Sequence, residues 1–288
     1  MKDLKVLAGI VTFNPDEKRL YENLDSLIRQ VSDILIVDNG SKNAKIFFDQ
    51  LPPNLKKHIT ILYLKENRGI AKALSEIMLY ARDKKFDWVL TLDQDSILKP
   101  GIVLQYKKSA LLEINTKVGM FTCLIRDRNY TDKKYEYQKK DYMDVNYCIT
   151  SGAFTNVAKY FKTTGYDVAF FIDCVDFDIC YLLREKGYII RRLNFTGLYH
   201  EVGHGENRNF LGKRIVVYHQ KPIRIYYLTR NTIWMHKKHR GNYSSALMVK
   251  KLLALLIKIL LYEDRKKEKI CNYMKGLKDS RKYEVENL

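Results

Sequence analysis

The sequence is short of the residues that staple, hinge or break a chain. It has five cysteines in 288 residues (Cys123, Cys148, Cys174, Cys180 and Cys271), an odd number with no pair at C-x-x-C spacing. That excludes a disulfide framework and a structural zinc site and fits a reducing compartment. Five prolines and 14 glycines leave no material for a long disordered linker. Acidic residues are also scarce: 33 Asp and Glu stand against 51 Lys and Arg, a net charge of +18. Such a field attracts nucleic acid, anionic headgroups or phosphorylated substrates. No zinc-finger spacing, basic zipper or aromatic single-strand-binding signature accompanies it. No nucleic-acid partner is therefore expected, and a phosphate-rich substrate or a membrane surface is. The opening Met1-Lys2-Asp3-Leu4-Lys5 lacks a secretory signal pattern, so a cytoplasmic setting is expected.

With 46% apolar and 29% charged residues, the composition is that of a globular protein. The length suits one large α/β domain, or a catalytic domain with a small helical appendage. Lys5–Thr12 is a strand-length apolar run ending in Phe13-Asn14-Pro15, a turn signal. Residues 16–31 place Leu20, Leu24, Leu27, Ile28 and Val31 at helical spacing. Strands are predicted at 33–37, 59–64 and 87–92, with helices at 44–50 and 70–82 between them. Alternation at this spacing means βαβ units and a parallel sheet. Ligands bind such sheets outside the carboxyl ends of the strands. Polar clusters fall there four times: Thr12/Asn14, Asp38/Asn39, Asn67/Arg68 and Asp93/Asp95. Further on, helices are predicted at 101–117 and 176–187 and a strand at 188–192, with a charged tail over 263–288.

Asp93 and Asp95 flank Gln94 just past a buried strand. On extended backbone, side chains i and i+2 face one way. Two carboxylates then converge on one spot, and Mg2+ or Mn2+, which favours oxygen ligands and completes its shell with phosphate and water, removes their repulsion. Taken alone, a D-x-D triplet is also a common solvated turn. Its place at the fourth strand end of a βα series is what raises it.

The blocks Val11-Thr12-Phe13-Asn14-Pro15, Ile36-Val37-Asp38-Asn39-Gly40-Ser41, Glu66-Asn67-Arg68-Gly69-Ile70-Ala71-Lys72-Ala73-Leu74 and Leu90-Thr91-Leu92-Asp93-Gln94-Asp95-Ser96 resemble the donor-binding half of family 2 inverting glycosyltransferases. The order of blocks and the T-L-D-Q-D-S wording are most similar to the rhamnosyltransferase branch. The likeness runs from about residue 5 to 235. It implies a GT-A type fold: α/β, with a Rossmann-like, mostly parallel central sheet and helices on both faces. A C-terminal basic amphipathic helical extension would follow. Residues 1–240 would form the catalytic domain, with 1–100 the nucleotide-sugar half and 101–240 the acceptor and catalytic half; residues 241–288 would be the membrane-associating extension.

The resemblance also implies roles. Asp38 would accept the N3–H of a uracil or thymine, with Thr12 and Asn14 lining the same nucleoside. Asn67 and Arg68 would sit beside base or phosphate, and Gly69 would let the backbone come close. Asp93, Gln94 and Asp95 would meet the donor, and Asp93 and Asp95 the metal. Asp176 aligns with the residue that takes the acceptor's hydroxyl proton, although Val175 stands where an acid is usual. Asp173 would restore that charge or bind acceptor, and Asp178 would support the site or bind acceptor. Capping of a helix start is the plain reading of Asp173 and Asp176. His200 would be a third metal ligand, with His204 its competitor. Ser151 and Gly152 would lie by the acceptor, and Arg230, in Tyr226-Tyr227-Leu228-Thr229-Arg230-Asn231, would hold the donor diphosphate or an acceptor phosphate.

Residues 246–261 read ALMVKKLLALLIKILL. Sixteen residues give roughly 24 Å of helix, short of the ~20 apolar residues that span a bilayer. Lys250, Lys251, Lys258 and Arg265 fall within one arc of roughly 100°, and most of the remaining circumference is alkyl. That pattern predicts a helix lying in a membrane interface, with Lys266, Lys267 and Lys269 adding headgroup attraction. The expected protein is a rhamnosyltransferase or another hexosyltransferase, using a dTDP- or UDP-sugar with Mg2+ or Mn2+. It would act on a lipid-diphosphate-linked or oligosaccharide acceptor for capsule-type surface polysaccharide, peripherally on the inner face of the cell membrane. A nucleotidyltransferase would need a glycine-rich basic loop after the first strand, which Phe13-Asn14-Pro15-Asp16 does not supply. A non-catalytic membrane-binding protein would leave Asp93, Asp95, Asp176 and His200 without a purpose.

Overall fold

The computed structural model describes residues 4–113, 116–127, 140–200, 205–210 and 212–283. The chain divides into two compact units, residues 1–169 with 179–201, and residues 170–178 with 202–288.

The first unit runs β1 (Val6–Thr12), α1 (Glu17–Ile28), β2 (Asp33–Asp38), α2 (Ala44–Asp49), α3 (Pro53–Lys56), β3 (Ile59–Tyr63), α4 (Ile70–Asp83), β4 (Trp88–Asp93), β5 (Ile97–Leu98), α5 (Ile102–Leu112), β6 (Val118–Asp127), β7 (Tyr142–Val145), β8 (Ala153–Asn156) and α6 (Val157–Tyr160). After α7 (Val175–Glu185), which begins in the second unit, it closes with β9 (Ile189–His200). Among the described residues the sheet order is β3-β2-β1-β4-β8-β6-β9-β5, with β7 on β9. The flank from β3 to β4 is wholly parallel, and β8 joins it antiparallel.

These strands are continuous apolar runs because both faces are covered. On β1, Val6, Ala8 and Ile10 join a core shared with Leu20, Leu24 and Leu27 of α1 and with Ile102, Val103 and Tyr106 of α5. On the opposite face α4 packs against β1, β2 and β4, burying Ala71, Leu74, Ile77 and Met78. Asp16 starts α1 by accepting the Arg19 N–H, so the chain turns back promptly after β1.

The second unit has an antiparallel ribbon, β10 (Glu206–Phe210) with β11 (Lys213–Val217), then α8 (Pro222–Lys238), α9 (Ser245–Leu261) and α10 (Lys266–Asp279). Proline in the first turn of α8 and Ser244 accepting the Leu247 N–H at α9 are ordinary helix starts. Ile225, Ile259 and Tyr273 form the core of the three helices, with Leu252, Leu255, Leu256, Ile270 and Leu277 packed on it. Gly276 lets α10 approach α8, since a Cβ there would lie 2.7 Å from the Tyr226 carbonyl oxygen.

Two expectations are corrected here. The stretch expected to be a charged tail forms α10, whose Ile270, Tyr273 and Leu277 recur at helical spacing among lysines. Lys269 is fully buried in it, paired with Glu263 at 2.5 Å and with Asp264. The preceding helix ends at Leu261, so Arg265 precedes α10 and does not share the lysine arc of α9.

Candidate active site

Strand register gathers the polar strand ends of the first unit. Thr12 pairs with Asp38 across β1 and β2, and Val11 pairs with Asp93 across β1 and β4. The Asp38 carboxylate is 1% exposed and already has three donors. The Thr12 hydroxyl donates to Oδ1 at 2.9 Å, the Ser41 hydroxyl to Oδ1 at 2.6 Å, and the Ser41 N–H to Oδ2 at 2.9 Å. A carboxylate offers about four acceptor positions, so one remains. Ser41 Oγ also accepts the Asn14 N–H at 2.7 Å, and Asn14 Oδ1 accepts the Lys42 N–H at 3.1 Å. Asn14 sits at φ +45°, a conformation asparagine tolerates.

Asn39 ties the second strand end to the third. Its Nδ2 donates to Asn67 Oδ1 at 3.1 Å and its Oδ1 accepts the Arg68 N–H at 2.9 Å; Asn67 Oδ1 also takes the Gly69 N–H at 3.0 Å. Gly40, at φ +80°, lies flat on this turn, where a Cβ would come 2.5 Å from the Glu66 carbonyl carbon. The Arg68 side chain is exposed.

At β4, Gln94 Oε1 accepts the Phe13 N–H at 2.9 Å, which ties the triplet back to β1. Asn23, buried on α1, donates to the Asp93 carbonyl at 2.9 Å. The Asp93 N–H meets Ser151 Oγ at 3.3 Å, and Ser151 bonds Ser96 Oγ at 2.7 Å. Gly152 donates its N–H to the Thr91 carbonyl at 2.8 Å and accepts the Tyr106 hydroxyl at 2.7 Å. The backbone of the triplet is thus fixed before anything binds. Asp93 and Asp95 are half-buried carboxylates, hard oxygen donors of the kind Mg2+ and Mn2+ take, so the residues present fit such an ion.

His200 closes β9, but its side chain, like all of His204, lies outside what is described. Among the described residues the one cluster of three metal-capable side chains is His219, Glu263 and Asp264. The Lys269 ammonium lies on both of those carboxylates, so their charge is already met.

The second unit carries the remaining carboxylates on residues 170–178. Phe171, Asp173 and Cys174 sit at φ +63°, +65° and +65°. Left-handed backbone is unfavourable by about 1–2 kcal/mol per non-glycine residue. Restraint comes from α8. The Asn231 Nδ2 lies 2.9, 2.7 and 2.9 Å from the carbonyls of Phe170, Ile172 and Asp173. Arg230 donates to the Phe170 carbonyl at 3.1 Å and covers the Trp234 ring at 3.8 Å. Arg224 takes the Asp173 carboxylate through two nitrogens, and Phe171 stacks on Tyr227 at 5.0 Å.

Asp178 is 1% exposed, between Lys238 Nζ at 2.9 Å and His239 Nε2 at 2.8 Å. Asp176 is half-buried in the first turn of α7, its Oδ1 accepting the Phe177 N–H at 2.9 Å. The Cys174 thiol is pushed well above its ordinary range, by desolvation first and then by Asp173 and Asp176.

The first unit therefore brings Thr12, Asn14, Asp38, Asn67, Arg68, Gly69, Asp93, Gln94, Asp95, Ser151 and Gly152 to strand ends and the turns after them. Asp173, Asp176, Asp178 and Arg230 belong to the second. Sequence reasoning missed Ser41, Asn23, Ser96, Arg224 and Asn231 as parts of these networks. A signal existed for Asn23, a polar residue on the apolar stripe of Leu20, Leu24 and Leu27, and for Asn231, beside buried Thr229, Arg230 and Thr232 in a helix.

Comparison with known proteins agrees with this architecture. The model of glycosyl transferase family 2 matches residues 8–166. The chain is 26% identical over 283 residues to the dTDP-rhamnosyl transferase RfbF of Shigella flexneri, covering 94% of this chain and 92% of that protein. Its fold is similar to S. aureus TarS, with a TM-score of 0.61 at 15% identity over 97% of this chain; it spans about half of TarS, 49%. It is also similar to GalNAc-T7 solved with UDP, GalNAc and Mn2+, with a TM-score of 0.60 at 14% identity, covering 97% of this chain and 56% of that one. The expected GT-A type fold is the fold found.

Proposed function

We propose that this chain, which belongs to glycosyl transferase family 2, is an inverting transferase. In this reading it moves L-rhamnose from dTDP-rhamnose to a lipid-diphosphate-linked or growing saccharide acceptor in the assembly of a bacterial surface polysaccharide. The observation that carries the reading is the pair of strand ends at Asp38 and Asp93. One is a buried carboxylate with a single acceptor position left, and the other opens a triplet with two carboxylates and a fixed backbone. The choice of rhamnose is supported by the 26% identity, over 94% of this chain, to a dTDP-rhamnosyl transferase. A UDP- or dTDP-hexose of another kind is the second reading.

The remaining acceptor position of Asp38 takes the N3–H of thymine or uracil. Thr12, Asn14, Asn67, Arg68 and Gly69 line the nucleoside and phosphates. Asp93 and Asp95, joined by His200, would hold Mg2+ or Mn2+, whose charge would stabilise the departing diphosphate. Asp176 takes the proton of the acceptor hydroxyl as that oxygen forms its bond to the anomeric carbon. The bond from that carbon to the nucleoside diphosphate breaks on the opposite face, so the configuration inverts. Ser151 and Gly152 border the acceptor, and Asp173 and Asp178 keep the carboxylate loop in shape. Arg230 also serves the loop, since a diphosphate contact would have to draw it off Trp234 and the Phe170 carbonyl. Residues 1–240 are taken as the catalytic part and 241–288 as the helical extension that brings it to the inner face of the cell membrane. No described helix is long and apolar enough to cross a membrane.

The test is thermal stabilisation and donor turnover with Mn2+ or Mg2+ and a panel of nucleotide sugars. A true donor at a hundredfold excess over its Kd stabilises by about 2.7 kcal/mol, a rise of roughly 5 °C in Tm at this size. Silence toward every UDP- and dTDP-sugar rejects the reading. Asp176→Asn should leave donor stabilisation intact and lower transfer by about 100-fold or more; full transfer by that variant rejects the base.

A further inference from the structure

The outward side of α9 has more apolar surface than its own unit covers. Leu252, Leu255, Leu256 and Ile259 turn inward onto Ile225 and Tyr273. Val249, Leu253, Leu260 and Leu261 stand 46%, 52%, 47% and 53% exposed. At 100° per residue, Val249, Leu253, Leu260 and Ile257 share one face. That face continues into a groove of about 700 Å3 against the ribbon, lined by Ile215, Ala246, Val249, Leu253, Ala254 and Ile257. The ribbon is fastened there, because the Lys258 ammonium donates to the Val216 carbonyl at 3.0 Å and the Tyr262 hydroxyl to the Asn209 carbonyl at 2.8 Å.

The charges around the face decide what covers it. No acid occurs on α9. Lys250 is exposed on its flank, and Lys266 and Lys267 are exposed beyond its end, where Arg265 pairs with Glu268. A second copy of the chain, at +18, would bring lysines to lysines, and like charges at such an interface oppose association. A surface with hydrocarbon below and negative charge above complements both the alkyl face and its basic border. At 17 residues with three lysines, α9 lies along such a surface and does not cross it.

From this we infer that the Val249–Leu253–Leu260 face of α9, with the groove beside Ile215, is the seat of an anionic phospholipid bilayer. Acyl chains lie in the groove, and headgroup phosphates meet Lys250 and the basic start of α10. The inference sharpens the membrane part of the proposed function. It narrows the inserting surface to one side of α9, since the other side is core.

The test uses the full chain with Leu253→Trp, a change at an exposed position. The native Trp88 and Trp234 are buried and give a constant background. With vesicles containing phosphatidylglycerol, the new indole should shift to the blue and be quenched by brominated acyl chains. With purely zwitterionic vesicles it should do neither. Leu253→Glu should lower the vesicle-bound fraction at least tenfold, and so should 0.5 M salt. An unshifted indole on a chain that still floats with the vesicles overturns the assignment. So does a chain that never floats, or a concentration-dependent dimer that Leu253→Glu dissolves. Donor turnover in solution needs no vesicle, so its loss in the wild-type protein would sink the transferase reading separately.

Discussion

Replacing Asp38 with asparagine separates a turn residue from a base-reading residue. Asparagine can keep its oxygen where Oδ2 lies, which preserves the 2.9 Å bond from the Ser41 N–H. Its amide nitrogen then replaces Oδ1, facing the Thr12 and Ser41 hydroxyls now at 2.9 and 2.6 Å. Both hydroxyls can rotate to accept, and Ser41 Oγ has room for that bond besides the one from Asn14. Three bonds to a charge become three neutral ones, a loss of about 1–2 kcal/mol in all after relief of the buried charge, or roughly 2–3 °C in Tm. Binding changes as well. The fourth position, on Oδ2, would still accept the N3–H of thymine, but now through a neutral amide oxygen. A bond to a charged acceptor is worth about 1 kcal/mol more than one to a neutral acceptor, a fall in affinity of about fivefold for dTDP and UDP. Cytosine has no hydrogen at N3 to give, so CDP should change little. Calorimetric titration of wild type and Asp38→Asn with the three nucleotides reads this directly. A dTDP affinity that changes no more than that for CDP would refute base recognition and leave Asp38 as the clasp of its turn.

Two further changes probe the second unit and the core. Asn231→Ala removes the amide that reaches three carbonyls of the strained loop. Stability should fall by about 2–4 kcal/mol, and kcat should drop while the donor Kd is kept; a donor Kd that rises as kcat falls would show that the loop does not act separately. Cysteine labelling tests burial: desolvation raises the Cys123 thiol from 9.0 to about 11, so only ~0.1% of it is thiolate at pH 8. Exposed Cys271 should therefore be alkylated first and Cys123 last, by mass spectrometry. The folded-state value lies above the unfolded one, so the Cys123 contribution to stability is complete below pH 9.0 and is lost as the pH rises through about 11. Tm should decline across that window, and rapid labelling of Cys123 at pH 8 would show the site to be open.

The parallel half of the sheet was legible because its physics is local. Strands covered on both faces become unbroken apolar runs, and β1 to β4 each end where such a run meets polar residues. The last strand of the first unit was legible only at its start, because Asn194, Thr196 and Gly197 interrupt the apolar run and its pairing with β6 shifts register twice near Leu124. The helix after α9 was hidden by composition. Its buried stripe is thin, and Lys269 within it is buried only because Glu263 and Asp264 come from the preceding turn to meet it, a pairing that no periodicity announces.

Site residues divide along the same line. Asp38, Asp93 and Asp95 stood out because acids at successive strand ends have no packing purpose. Ser41, Asn23 and Asn231 did not, because a polar side chain reads as solvated until the fold shows what it faces. The loop at residues 170–174 takes this furthest. Three residues there adopt left-handed backbone without one glycine among them, a strain of about 3–6 kcal/mol at 1–2 kcal/mol each. Glycine would relieve it, so the sequence of the loop alone argues against the conformation observed. The conformation persists because a helix some fifty residues later supplies Arg224, Arg230 and Asn231 to its carbonyls and to Asp173. Residues that overrule local preference in this way fix geometry more tightly than a relaxed glycine turn would. The first turn of α7, with Asp176 on it, follows directly from the last strained residue, Cys174. Strain that surrounding structure sustains is found where position matters for chemistry, and here it leads straight into the carboxylate proposed to take the proton.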